Sequence, residues 1–145
     1  MGVSTTMMSR QQLEIREAEA ERISKAIVDC ISDVVPDGEF ILTVSGRVIG
    51  VVGVGARRGN SFRTHPFLVW LLPVPATRRL SIIFGSLSKD LQRFLSRVTG
   101  RPWPVEGATP HVRITDREIR VWWGSVDESE AVVKIEPILR SDIGV

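Results

Sequence analysis

The residues of this chain that could do chemistry are two histidines, one cysteine, a few paired acids, a glycine-rich stretch and a run of arginines. Catalysis needs such groups to converge on one pocket. His65 and His111 show no HxxxH or HExxH spacing, and Cys30, the only cysteine, allows no CxxC pair or internal disulfide. A closed zinc shell therefore lacks a ligand set. Cys30 falls on the apolar stripe of a predicted helix, where a thiol packs as an inert hydrophobe. Asp116 with Glu118, and Asp127 with Glu128 and Glu130, lie in predicted turns, where acids solvate a loop.

The glycines do not complete a nucleotide motif. Gly50, Gly53 and Gly55 precede Ala56-Arg57-Arg58-Gly59, but counting from Gly53 the third glycine of a dinucleotide fingerprint is Arg58, and no P-loop lysine follows. There is no G-x-S-x-G elbow either. The expectation is a binding protein without cofactor or metal, and not an enzyme.

The arginines are the strongest lead. Net charge is +2, but residues 1–46 carry −4, residues 47–101 carry +9 and residues 102–145 carry −3. Arg57, Arg58, Arg63 and His65 share one predicted loop, Arg78 and Arg79 a predicted turn, and Lys89, Arg93, Arg97 and Arg101 lie on or just after a predicted helix. Spacing by four puts residues 89, 93 and 97 on one side of that helix. Guanidinium forks suit phosphate or carboxylate, so Arg57, Arg58, Arg63, His65, Arg78, Arg79, Arg93 and Arg97 form a candidate anion-binding set. Against a nucleic-acid partner, no helix-turn-helix, RRM or KH signature is present, and pairing with the acidic N-terminal helix is an alternative use for this charge.

Hydrophobic residues make up 43% and charged residues 25% of 145 positions, the balance of one globular domain. The longest apolar run, Phe67 to Leu72, is too short to span a bilayer, so no membrane association is expected. The start Met1-Gly2-Val3-Ser4-Thr5-Thr6 fits a loose myristoylation pattern, but no basic cluster follows it. Absence of a disulfide framework or secretory signal points to a reducing, cytoplasmic setting. The excess of Arg (16) over Lys (3) fits a GC-rich bacterial source.

The elements that must position these residues follow from periodicity. Residues 1–10 are expected to be a flexible terminus and residues 11–145 a single α+β domain. Ala20, Ile23, Ala26, Ile27, Cys30, Ile31 and Val34 recur at helical spacing, predicting a helix over 11–35 with acidic residues near its start, ended by Pro36-Asp37-Gly38. Residues 39–45 and 47–56 read as a hairpin turning at Ser45-Gly46, with a bulge or a close neighbour at the glycines. Residues 57–66 read as a loop, and 67–74 and 80–84 as strands. A second helix is predicted over 87–99, stopped by Gly100, and three strands over 111–115, 118–123 and 131–139.

The predicted order is α-β-β-β-β-α-β-β-β, with two helices on a mainly antiparallel, curved sheet of six to seven strands. That order resembles the fold of the small secretion chaperones of bacteria, and the resemblance implies a chaperone- or scaffold-like role. Phe40 to Leu42, Val51-Val52, Ile82 to Phe84 and Val121 to Trp123 are apolar on both strand faces. Two helices cover such a sheet poorly, so an apolar face, with Trp70, Trp122 and Trp123 as candidate interface residues, or the first helix, is expected to meet a second copy or a protein partner. The expected function is therefore a small interaction module, expected to act as a homodimer; the alternative is an anion or nucleic-acid binder using residues 47–101.

Overall fold

A computed structural model describes residues 8–36, 38–45 and 47–145. The fold is α+β, with four helices and two antiparallel sheets. Helix α1, Arg10–Val34, starts at a reciprocal cap. The Ser9 hydroxyl accepts from the Gln12 amide, and the Gln12 side chain accepts from the Ser9 amide. This cap, and not an acidic first turn, settles the helix start. Arg10, placed in the expected flexible terminus, is helical; residues 1–7 lie outside the described residues. Ala20, Ile23, Ala26, Ile27, Cys30 and Ile31 form the buried stripe.

Strands β1 (Phe40–Ser45) and β2 (Val48–Gly53) pair in unbroken register, with Phe40 opposite Gly53 and Ser45 opposite Val48. Gly46, in the expected turn, lies outside the described residues. The glycines of β2 mark a close neighbour and no bulge. A Cβ at Gly53 would stand 1.9 Å from the Arg57 carbonyl oxygen. That approach lets the segment after β2 fold back, and residues expected to be a loop form β3 (Ser61–Thr64) on the far side of β2. Phe62 points inward between the exposed Ser61 and Arg63.

Two expected strands are helical. Residues 67–74 contain α2 (Pro66–Trp70), which has proline at its first position and buries Phe67 and Trp70, three residues apart. Residues 80–84 belong to α3 (Ala76–Thr99), which begins directly after Pro75 and ends at Gly100 in the left-handed conformation. The helical spacing continues upstream of Leu87 through Phe84, Ile83 and Leu80, all buried. The β-branched pair Ile82-Ile83 disguises it.

With no strand between β3 and β4 (Thr109–Ile114), the chain builds two sheets in place of one curved sheet. The first has the order β1-β2-β3. In the second, β5 (Glu118–Gly124) pairs with β4 on one side and with β6 (Ala131–Lys134) and β7 (Ile138–Leu139) on the other. The expected strand over 131–139 is thus broken in two, and a short helix, α4 (Arg140–Ile143), follows.

Both sheets pack on α3. Phe94 of α3 meets Phe40 at 5.5 Å and Phe62 at 5.7 Å between ring centres. On the other side, Trp123 of β5 donates from Nε1 to the Ser88 carbonyl at 3.1 Å. Its ring stands edge-on to Trp103 at 5.2 Å. The 101–108 connector is held to α3 by Ser96 Oγ, which accepts from the Trp103 amide, and by Gln92 Nε2, which donates to the Trp103 and Ala108 carbonyls. Among the described residues, no helix is long and apolar enough to cross a membrane.

Candidate anion-binding face

The candidate arginines separate into structural and available groups. Arg57 is structural: its Nε donates to Glu39 Oε1 at 2.9 Å and its Nη1 to the Val98 carbonyl at 2.9 Å. Arg79 is buried, at 7% exposure. It lies over the Trp70 ring, 4.3 Å from its centre, and donates to the Val74 carbonyl. Burial, and then the like charge of Arg16, lowers the Arg79 pKa against the opposing pull of Glu19. Neither arginine is free to receive an anion.

Arg63, Arg93 and Arg97 are brought together. Arg63 stands on the solvent face of β3, Arg93 and Arg97 on the exposed side of α3, and the three line one open groove of about 280 Å³ with Ser61, Phe62, Asp90 and Phe94. Phe94 is the buried floor that sets the spacing of helix and strand. Arg97 lies toward its ring, 5.6 Å from the centre. Asp90 is the one carboxylate among the lining residues; it approaches Arg93 at 3.7 Å, with both side chains largely exposed. Such an exposed pair holds its partners weakly, so the groove keeps a positive charge that a phosphate or carboxylate can meet.

The groove opens onto a longer basic stripe. Each helical residue turns about 100°, so Arg78, Lys89, Arg93 and Arg97 fall within roughly 100° of arc on the α3 surface. All four are exposed. Arg58 is exposed in the turn that Arg57 ties to the carbonyl of Val98, near the C-terminal end of α3. His65 is exposed just before α2, without a capping bond. It does not line the groove.

The other candidate residues are consumed by the fold. Trp70, Trp122 and Trp123 are 0%, 3% and 0% exposed, so none presents a surface to a partner; Trp70 and Trp123 lie in the main core and Trp122 outside it. Trp122 needs a local cover, because it points away from the face that packs on α3. His111 stacks on it at 5.3 Å, the Arg113 guanidinium lies 5.2 Å from its ring centre, and its Nε1 donates to the Ser125 carbonyl. Gly124, at φ +145°, permits this return. A Cβ there would come within 2.9 Å of the Val132 amide.

The returning loop carries Glu128 to Arg113 at 3.3 Å and to Arg120 at 3.0 Å, while Glu118 pairs with Arg120 at 2.8 Å. Hydrogen bonds from Ser129 hold Asp127 below the usual carboxylate range. The acids singled out in the sequence are therefore largely engaged with arginine or with their own loop. Among the described residues, no group of three or more His, Cys, Asp or Glu side chains is arranged to hold a metal ion.

Two further grooves flank α1. The larger, about 550 Å³, lies against the 135–143 segment and mixes Asp29, Asp33, Glu136 and Asp142 with Arg22 and Lys25. Arg22 there already donates to the Ile143 carbonyl at 2.8 Å. The smaller, about 400 Å³, is lined by Val28, Val44 and Phe67. Arg47 lies across Phe67 at 3.8 Å while paired with Glu17 at 3.0 Å. Neither has the basic excess of the α3–β3 groove. No family model, curated protein or solved structure matches this chain.

Proposed function

We propose that the protein is a non-enzymatic binding module whose working surface is the basic face of α3 and β3, and that this face takes an anionic partner. The observation that carries the reading is the convergence of Arg63, Arg93 and Arg97, from two separate elements, on one open groove. Exposed guanidiniums with little internal pairing repel one another in the free protein, and an anion relieves that repulsion. Heparin, a generic polyanion, tests it. The protein is expected to bind at low salt and release as salt rises, because contacts between exposed charges are screened. Binding should disappear when Arg63, Arg93 and Arg97 are all replaced by Ala. A protein that ignores heparin at low salt would remove this reading.

A second reading, association through an apolar sheet face, is favoured by one observation. Ile41 and Val52 sit opposite each other on the outer face of the first sheet, 53% and 41% exposed. That reading expects a dimer whose mass is insensitive to salt and which Ile41→Lys reduces to a monomer. A monomeric protein at every salt concentration would leave the basic face alone.

A further inference from the structure

We propose that the α3–β3 face binds the phosphate backbone of a nucleic-acid duplex irrespective of sequence, with successive phosphates met by Arg63, Arg93 and Arg97. This rests on the reading of that face as an anion site and names its partner. The choice between phosphate backbone and acidic protein follows from what the face lacks. Protein interfaces have a largely apolar centre with aromatic anchors. Nucleic-acid interfaces are polar and strongly positive. None of the large hydrophobic side chains that the structure leaves exposed belongs to α3. Between Arg78 and Lys89 the helix presents Ser81, Gly85 and Ser86 beside the half-buried Ile82. A Cβ added at Gly85 would meet nothing within 4 Å. Small residues flanked by long cations let a sugar-phosphate chain lie close to the helix while guanidiniums reach phosphates from both sides.

The duplex is favoured over a single strand by the aromatic residues. Unpaired bases are held largely by stacking on exposed rings. Every Trp and Phe of this chain is buried or half-buried, and Tyr is absent. What remains is charge laid out along a line. Arg78 to Arg97 spans about 28 Å of helix, roughly 8 base pairs of duplex. The contacts are to phosphates, which position a protein but carry no sequence information.

The test is titration of the full chain against a labelled mixed-sequence DNA duplex of about 20 base pairs, repeated from about 50 to 200 mM salt. With about four phosphates neutralised, affinity should fall on the order of a hundredfold over that range. Arg93→Ala with Arg97→Ala should lower the logarithmic salt slope by about two. Arg93→Lys with Arg97→Lys should keep the slope, because charge is retained, and this pair also controls for folding. Arg10→Ala, on α1, should leave both affinity and slope unchanged. An unchanged slope in the double alanine variant would overturn the assignment of the groove. Displacement of the duplex by polyglutamate at equal charge, or tighter binding of the single strand, would overturn the duplex while leaving the anion face intact. Heparin binding without duplex binding would have the same meaning, and binding of neither would remove both.

Discussion

The Arg79 guanidinium and the Trp70 ring face one another, 4.3 Å from charge centre to ring centre, where α1, α2 and α3 meet. Trp70 Nε1 donates to Glu19 Oε1, and Arg16 Nη1 donates to the Trp70 carbonyl at 2.7 Å, so two cations and one carboxylate meet at this residue. The Nε of Arg79 finds no acceptor among the described residues. Arg79 Nη1 donates to the Val74 carbonyl, so the stem, the stack and that one bond hold the junction while the guanidinium is only partly satisfied. Arg79→Met, which keeps the stem but loses the bond to Val74, should cost about 1–2 kcal/mol, and Arg79→Ala about 3 kcal/mol. Urea unfolding of the two variants measures the difference. Equal losses would mean that the charge itself stabilises the junction.

Cys30 offers a prediction about alkaline pH. Burial, reinforced by Asp33 and Asp29, pushes its thiol up to about 12. Between about pH 9 and that value the unfolded chain releases the proton while the folded chain keeps it, so stability falls as pH rises through this window. Cys30→Ala should remove that part of the alkaline loss while lowering stability modestly at neutral pH through the small cavity it leaves. In the native protein the buried thiol stays protonated at pH 8, so alkylation should require unfolding. Rapid native labelling would contradict this.

Glu128 links Arg113 and Arg120 over Trp122, with its side chain 14% exposed. Glu128→Gln should cost about 1–2 kcal/mol, since the two charge-assisted bonds weaken together. Because Arg113 helps to cover Trp122, loosening it should shift tryptophan emission to longer wavelength in the folded protein. An unchanged spectrum together with unchanged stability would mean that His111 and the Ser125 carbonyl suffice as cover.

Two glycines should respond in opposite ways to the same substitution. Gly85→Ala, in open space on α3, should stabilise by about 0.5–1 kcal/mol by limiting the unfolded chain. Gly53→Ala would drive a Cβ into the Arg57 carbonyl oxygen and displace the turn that leads to β3. It should cost more than about 2 kcal/mol. Thermal melting of both variants checks the pair, and a tolerated Gly53→Ala would show that the segment after β2 can move aside cheaply.

Heparin or duplex affinity should be insensitive to the Arg79, Cys30 and Glu128 substitutions, because Arg63, Arg93 and Arg97 are exposed while those three residues act in the core or on the second sheet.

Much of this architecture is legible in local sequence. Period-three-and-four spacing marks α1 from Ala20 to Ile31, and β-branched residues between turn signals mark β1, β2, β4 and β5. The uneven charge along the chain is equally plain, and so is the i,i+4 alignment of Lys89, Arg93 and Arg97. What local sequence leaves undecided are the short apolar runs. Residues 67–72 and 80–84 read as well for a strand as for a helix, and only packing of Trp70 and Leu80 at the α1–α2–α3 junction selects the helix. β3 has almost no apolar signal of its own, and its pairing with β2 makes it a strand. The fate of each functional candidate is a tertiary decision too. Charge and aromaticity are properties of a residue, but exposure depends on what the chain brings beside it. Arg57 and Arg79 are drawn into structural bonds, Trp70 and Trp123 into the core and Trp122 under its own local cover, while Arg63 meets Arg93 and Arg97 because Phe62 of β3 and Phe40 of β1 both pack on Phe94 of α3.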